Sequence, residues 1–175
     1  MVRHLMCIPL VLTAGLAFGQ TPTRATATLK NAQGVEIGTV TLTPAAQGTA
    51  VMINASLTKL PPGTHAFHVH TVGTCTPPDF ASAGGHFNPA GKQHGKDNPN
   101  GHHAGDLPNF EVNANGEGKI SYAVPDLTLG DGPNSLFHAG GTAFVVHAAA
   151  DDNKTDPAGN AGARIACGVI EKAKP

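Results

Sequence analysis

The sequence predicts an all-β fold, an eight-stranded antiparallel Greek-key sandwich or barrel interrupted by two long functional loops. Three observations carry that prediction. Short segments of period-two alternation recur along the chain, Gly (22) and Pro (14) punctuate them, and past the N-terminal region no window sustains a helical period over three turns. In order, the segments are Ala25 to Lys30, Gly38 to Thr43, Ala50 to Thr58, His65 to Thr71, Asn109 to Ala114, Lys119 to Val124, Thr142 to Ala148 and Arg164 to Ile170. Turn residues separate many of them: Asn31-Ala32-Gln33-Gly34 after the first, Gln47-Gly48 after the second, Pro61-Pro62-Gly63 before the fourth, and Asn113-Ala114-Asn115-Gly116 before the sixth. Short strands at such spacing bury one face each and close on one another.

Two connections break the regularity, from about Val72 to Pro108 and from Asp151 to Ala163. Loops of that length inside a compact domain are functional or cross-linked. The first is dense in Gly, Pro, Asn and His and carries Cys75; the second ends just before Cys167.

Ten histidines in 175 residues need an explanation, and their positions supply one. His68 and His70 stand at i and i+2 of a strand, so both rings share one face while Phe67 and Val69 point into a core. Three further segments add candidate ligands: His86 in Gly85-His86-Phe87-Asn88-Pro89, His94 with the His103-Ala104-Gly105-Asp106 run, and His147 after Phe144-Val145-Val146. A set of imidazoles suits copper or another borderline metal, and three imidazoles with a carboxylate suit tetrahedral zinc.

The ends and the charge bound the class. Met1 to His4 carry one Arg, Leu5 to Phe18 is a mostly apolar run too short to span a bilayer, and Ala17-Phe18-Gly19 offers small residues for cleavage. Residues 1–19 therefore read as a secretory signal and 20–175 as one exported domain, periplasmic or secreted, with no membrane contact after cleavage. Without Arg3 the formal charge is −2, and no basic run exceeds two residues, which excludes a nucleic-acid partner. Only Cys75 and Cys167 survive cleavage, an even pair that in an exported chain favours a disulfide over two free thiols.

The chain resembles the copper/zinc superoxide dismutase family over nearly all of residues 20–175. The resemblance rests on His65-Ala66-Phe67-His68-Val69-His70, Ser82 to Pro89, His103 to Leu107, Val145-Val146-His147 with Asp151-Asp152, and Gly159-Asn160-Ala161-Gly162-Ala163-Arg164 running on to Gly168. It implies a Greek-key barrel that converts superoxide to dioxygen and hydrogen peroxide. By matching position, it makes His68, His70, His86 and His147 copper ligands and His86, His94, His103 and Asp106 zinc ligands, with the His86 ring shared. Asp151 becomes the carboxylate that orients one ligand of each metal, His68 and His94, and Cys75 pairs with Cys167. Arg164 becomes the cation that attracts and positions superoxide, and His86 a proton holder for the departing peroxide.

His65 reads as a packing residue or a support behind a ligand, the His-x-x-Asp spacing of the resembling motif leaves His102 as a solvated neighbour of His103, and His138, outside every ligand block, reads as a surface residue; Asp97 and Asp152 receive no role. Departures are local. The loop from Asp151 to Arg164 carries Lys154 and Asp156 where many animal members have a longer, more charged loop, and Gly140 and Lys172 stand where animal members place apolar dimer contacts, leaving a monomer or a homodimer through another face. Two other classes compete: an exported copper or zinc buffer or delivery protein on the same fold, and a β-domain stapled by zinc alone. The complete ligand set together with Arg164 speaks against both.

Overall fold

The computed structural model describes residues 24–46 and 50–173, so the expected leader, with its cleavage site and Cys7, lies outside the described residues. Alternation produces the first ladder. In β1 (Ala25–Asn31), Ala25, Ala27 and Leu29 are buried, and Asn31 ends the strand by accepting the amides of Gln33 and Val35 at its Oδ1. β2 (Glu36–Pro44) returns along it, and β3 (Val51–Leu57) pairs with β2 along seven residues, from Gly38 opposite Leu57 to Pro44 opposite Val51. The chain then crosses to β4 (Gly63–His65) and β5 (Phe67–His70), and later adds β6 (Phe110–Val112), β7 (Gly118–Val124), β8 (Ala143–His147), β9 (Arg164–Val169) and β10 (Glu171–Lys172).

The ladder runs β4-β6-β7-β3-β2-β1-β9-β8-β5, with β10 on β1, and every pairing between strands is antiparallel. β4 and β5 end it on opposite sides yet adjoin in the chain through Ala66, which brings the two ends together into a nearly closed barrel. This is where the eight expected strands become ten. The single strand expected from His65 to Thr71 divides at Ala66 because its first part pairs with β6 and its second with β8. Ala66 donates to Ala149 O, accepts from His147, and so joins neither ladder. The last expected strand, Arg164 to Ile170, is β9, and β10 is a two-residue addition beyond its end that pairs with β1.

Ile37, Val40, Leu42, Ile53, Leu57 and Ile120 fill the barrel with Phe67, Phe110 and Phe144. Phe67 stacks on Phe144 at 4.8 Å between centroids, with Phe110 edge-on at 6.1 Å. A third long connection, residues 125–142, joins the two expected ones, and its Leu127, Leu129 and Leu136 are buried in the same core. On β8 the core takes Phe144 and Val146, which leaves Ala143, Val145 and His147 on the outer face beside His68 and His70 of β5. The loops between β5 and β6 and between β8 and β9 cover that face. Cys75 and Cys167 form a disulfide across 92 positions with 5.6 Å between Cα atoms, tying the first loop to β9 over a small cluster of Phe80, Ala83, Ala143 and Val145.

Candidate metal centre

Strand alternation puts His68 and His70 on the outer face of β5, and the loop that follows returns to the free edge of that strand. His86 bridges to His70, Asp106 bridges to His68, and Val69 exchanges backbone hydrogen bonds with Phe87 and Gly105. His147 arrives from the end of β8. His68, His70, His86 and His147 are all buried, and each offers one ring nitrogen to a common point, those atoms lying within 4.8 Å of one another.

The remaining nitrogens explain which atoms are free. His70 Nδ1 donates to Gly84 O at 2.9 Å and His147 Nδ1 to Gly162 O at 3.3 Å, so their Nε2 atoms face each other at 3.4 Å. His68 Nε2 donates to Asp151 Oδ2 at 2.8 Å, leaving His68 Nδ1 buried with no hydrogen-bond partner among the described residues; His86 Nε2 is equally alone there. Buried polar atoms without partners are costly and rare, and two of them aimed into one cluster fit a metal ion as the missing partner.

A second donor set adjoins the first. Asp106 Oδ1 lies 2.8 Å from His86 Nδ1, 3.0 Å from His94 Nδ1 and 3.2 Å from His103 Nδ1, while its Oδ2 accepts the amides of Gly95 and His103. Three imidazoles and one carboxylate make a tetrahedral zinc-type set. His86 belongs to both sets, one nitrogen in each. Asp151 spans them too, since Oδ2 takes His68 Nε2 and Oδ1 takes His94 Nε2 at 3.0 Å.

Burial favours the neutral form of three rings in the first set, His70, His86 and His147. It pushes His70 down to about 2 and His147 to about 3, helped by neighbouring histidines and Arg164. His86 falls to about 4 for the same reason, although its bond to Asp106 pulls the other way. For His94 burial is outweighed by its bonds to Asp106 and Asp151, which raise it to about 9. Both carboxyls resist burial's upward push because imidazole donors hold them well below the usual carboxylate range. Neutral imidazole is the metal-binding form, so His70, His86 and His147 are ready for a cation, whereas in the second set His94 holds a proton against the negatively charged Asp106 and must give it up to a metal.

Arg164 opens β9 opposite His147 and donates to Phe80 O at 2.8 Å and Gly84 O at 2.7 Å. Gly84 O thus receives both Arg164 and His70. The guanidinium lines a shallow depression with Pro78, Asp79, Ala81, Gly162 and Ala163.

The other histidines separate cleanly. His65 is buried against Phe110, its ring nitrogens 2.8 Å from His147 O and Pro61 O. His102 is half-exposed and contacts Asp126 at 3.2 Å. His138 is not the free surface group expected: it is half-buried, lies flat on Phe87 at 5.3 Å, and hides Nε2 from solvent. Sequence reasoning missed Asn109, which exchanges two 2.9 Å hydrogen bonds with the Asp151 backbone; an Asn at the start of a strand carries no signal of that.

A nearly closed Greek-key barrel with two adjoining histidine sets on one outer face defines a class, a β-barrel protein built for two metal ions. Residues 36–170 match the family model for copper/zinc superoxide dismutase (SODC). The chain is 49% identical over 147 residues to superoxide dismutase [Cu-Zn] 1 of Aquifex aeolicus, covering 83% of this chain and 86% of that one. Among solved structures, a superoxide dismutase-like protein of Bacillus subtilis superposes with a TM-score of 0.79 at 42% identity, over 82% of this chain and 96% of that one. The Cu/Zn superoxide dismutase of Brucella abortus gives 0.69 at 31%, over 85% and 99%. The chain belongs to the copper/zinc superoxide dismutase family, oxidoreductases that act on superoxide and use copper and zinc. Among the described residues, no helix is long and apolar enough to cross a membrane.

Proposed function

We propose that this chain dismutes superoxide outside the cytoplasm, with copper on His68, His70, His86 and His147, zinc on His86, His94, His103 and Asp106, and the His86 ring bridging the two. One observation carries the reading: a single buried ring divides its nitrogens between two donor sets, Nδ1 at 2.8 Å from Asp106 and Nε2 without a partner among the other imidazoles. Imidazole serves both metals, and the carboxylate favours the one that does not change oxidation state.

Copper bound there supplies one-electron chemistry, oxidising one superoxide to dioxygen and reducing a second, which leaves as hydrogen peroxide after taking up two protons. The protein's own groups arrange the rest. Asp151 fixes the tautomer of one ligand in each set through His68 Nε2 and His94 Nε2. Arg164, held by two carbonyls, attracts the anion toward the first set. His86 Nε2, when not held by copper, would be the atom that carries a proton for the departing peroxide. The disulfide supports export to an oxidising compartment, the periplasm or the medium, after removal of residues 1–19.

A second reading, a metal buffer on the same barrel, is favoured by the Bacillus subtilis relative, described only as superoxide dismutase-like. Metal content measured together with superoxide consumption on purified 20–175 separates the two. One copper and one zinc with rapid consumption is the outcome expected; bound metal without consumption establishes the buffer.

A further inference from the structure

We infer that Asp156, a residue outside both donor sets, is a positioning residue for His94 and couples the loop between β8 and β9 to zinc retention. The inference rests on the proposed reading of His94 as a zinc ligand.

Asp156 Oδ1 accepts the backbone N–H of His94 at 2.6 Å across 62 positions of sequence. The next amide, Gly95 N–H, donates to Asp106 Oδ2 at 2.9 Å. Consecutive peptides of one short stretch are therefore pinned from opposite sides, by a carboxylate of the second loop and by a carboxylate of the zinc-type set. The His94 ring adds Asp106 at Nδ1 and Asp151 at Nε2. All three polar atoms of His94 that can donate thus end on aspartates, and among the described residues its amide is held by Asp156.

Packing between the loops makes the bond a hinge pin and not a chance surface contact. Asp97 N donates to Asn153 O at 2.9 Å, and Asn98 Nδ2 reaches Lys154 O. At Gly95 (φ +100°) a Cβ would meet Asn153 O at 2.2 Å, and at Gly159 (φ +62°) one would meet Asp151 Oδ1 at 1.8 Å and His94 Nε2 at 2.6 Å. The second loop lies directly on the His94 stretch, leaving room for hydrogen only. A carboxylate on a backbone N–H is a charge-assisted bond, among the stronger ones available to a loop with no strand of its own.

Without Asp156 the His94 amide loses the one side-chain acceptor it has among the described residues, and the ring is left to Asp106 and Asp151. Zinc then leaves faster, although all four donors remain. The test loads full-length mature protein with both metals and follows zinc release to a chromophoric chelator, together with hydrogen exchange of the His94 amide. Asp156→Ala is expected to speed release by about 10-fold, the lower end of what losing an orienting partner costs, and to expose the His94 amide. Asp156→Asn keeps an acceptor oxygen in place and is expected to stay within about 3-fold of the wild type, reflecting the weaker neutral bond. His94→Ala runs beside them. Fast release from His94→Ala with wild-type release from Asp156→Ala overturns the inference alone, as does an Asn variant as fast as Ala. Unchanged release from His94→Ala overturns the assignment of His94 itself.

Discussion

His68, His70 and His147 stand on β5 and β8, whose backbones are locked to each other and to β9, whereas His94, His103 and Asp106 lie in a loop with no strand of its own. The first three are oriented by backbone carbonyls and Asp151, and burial holds His70 and His147 neutral. The second three converge on one carboxylate and depend on the disulfide, on Asp151 and on the neighbouring loop. A site on strands inherits its geometry from the fold, while a site on a loop must be assembled by side chains and by the ion it binds. The strand-borne set should therefore survive insults that empty the loop-borne one, and His86 is where that independence must fail.

The largest effect is expected at that junction. His86→Ala should deplete both metals and lower superoxide consumption by more than about 100-fold, beyond the usual cost of an outer partner. His70→Ala should spare zinc. Metal content of both variants checks this, and equal zinc retention removes the shared ring.

Replacing both cysteines, Cys75→Ser with Cys167→Ser, should cost about 4–5 kcal/mol in the chain-entropy model and roughly 10–15 °C in Tm at this size. Zinc should leave more readily while copper binding persists, because the bridge tethers the loop and not β5. Calorimetry with metal analysis reads both, and parallel loss of the two metals erases the distinction between the sets.

Asp151→Asn should weaken zinc by roughly 10–100-fold. His94 loses a charged acceptor, whereas His68 keeps the rigidity of its strand, so copper should suffer less. Competition with a chelator of known affinity measures each metal separately.

Arg164→Glu should lower the second-order rate by about 10-fold with metals still bound and remove its decline with ionic strength. Arg164→Lys should fall between, keeping charge but losing the planar fork that spans Phe80 O and Gly84 O. Rate against salt for the three proteins decides, and three coincident curves leave Arg164 a structural residue.

A last effect, in metal-free protein, has one sign for His70, His86 and His147 and the opposite sign for His94. His70, His86 and His147 titrate lower folded than unfolded, so their contribution is complete above about pH 6.5 and is lost as pH falls toward 4 and below. His94 titrates higher folded, so its contribution is complete below about 6.5 and is lost as pH rises through about 9. Denaturant midpoints across pH should therefore show the acid limb flattened by His70→Asn and the alkaline limb by His94→Gln. A single variant flattening both limbs contradicts the separation.

The sequence by itself determined the all-β class, the extent of most strands, the shared face of His68 and His70, and the two cysteines. Each follows from period-two alternation, from turn residues or from counting, which are local properties of the chain. Tertiary structure decided what local pattern cannot hold. It broke one expected strand at Ala66, because only the fold reveals that its halves pair with different partners, and it turned residues 125–142 into a plug for the core. It brought Asp106 to three imidazoles from separate parts of a loop, and set Asn109 and Asp156 behind Asp151 and His94. Convergence of residues distant in sequence depends on loop paths fixed by many weak contacts at once, and no spacing rule encodes it.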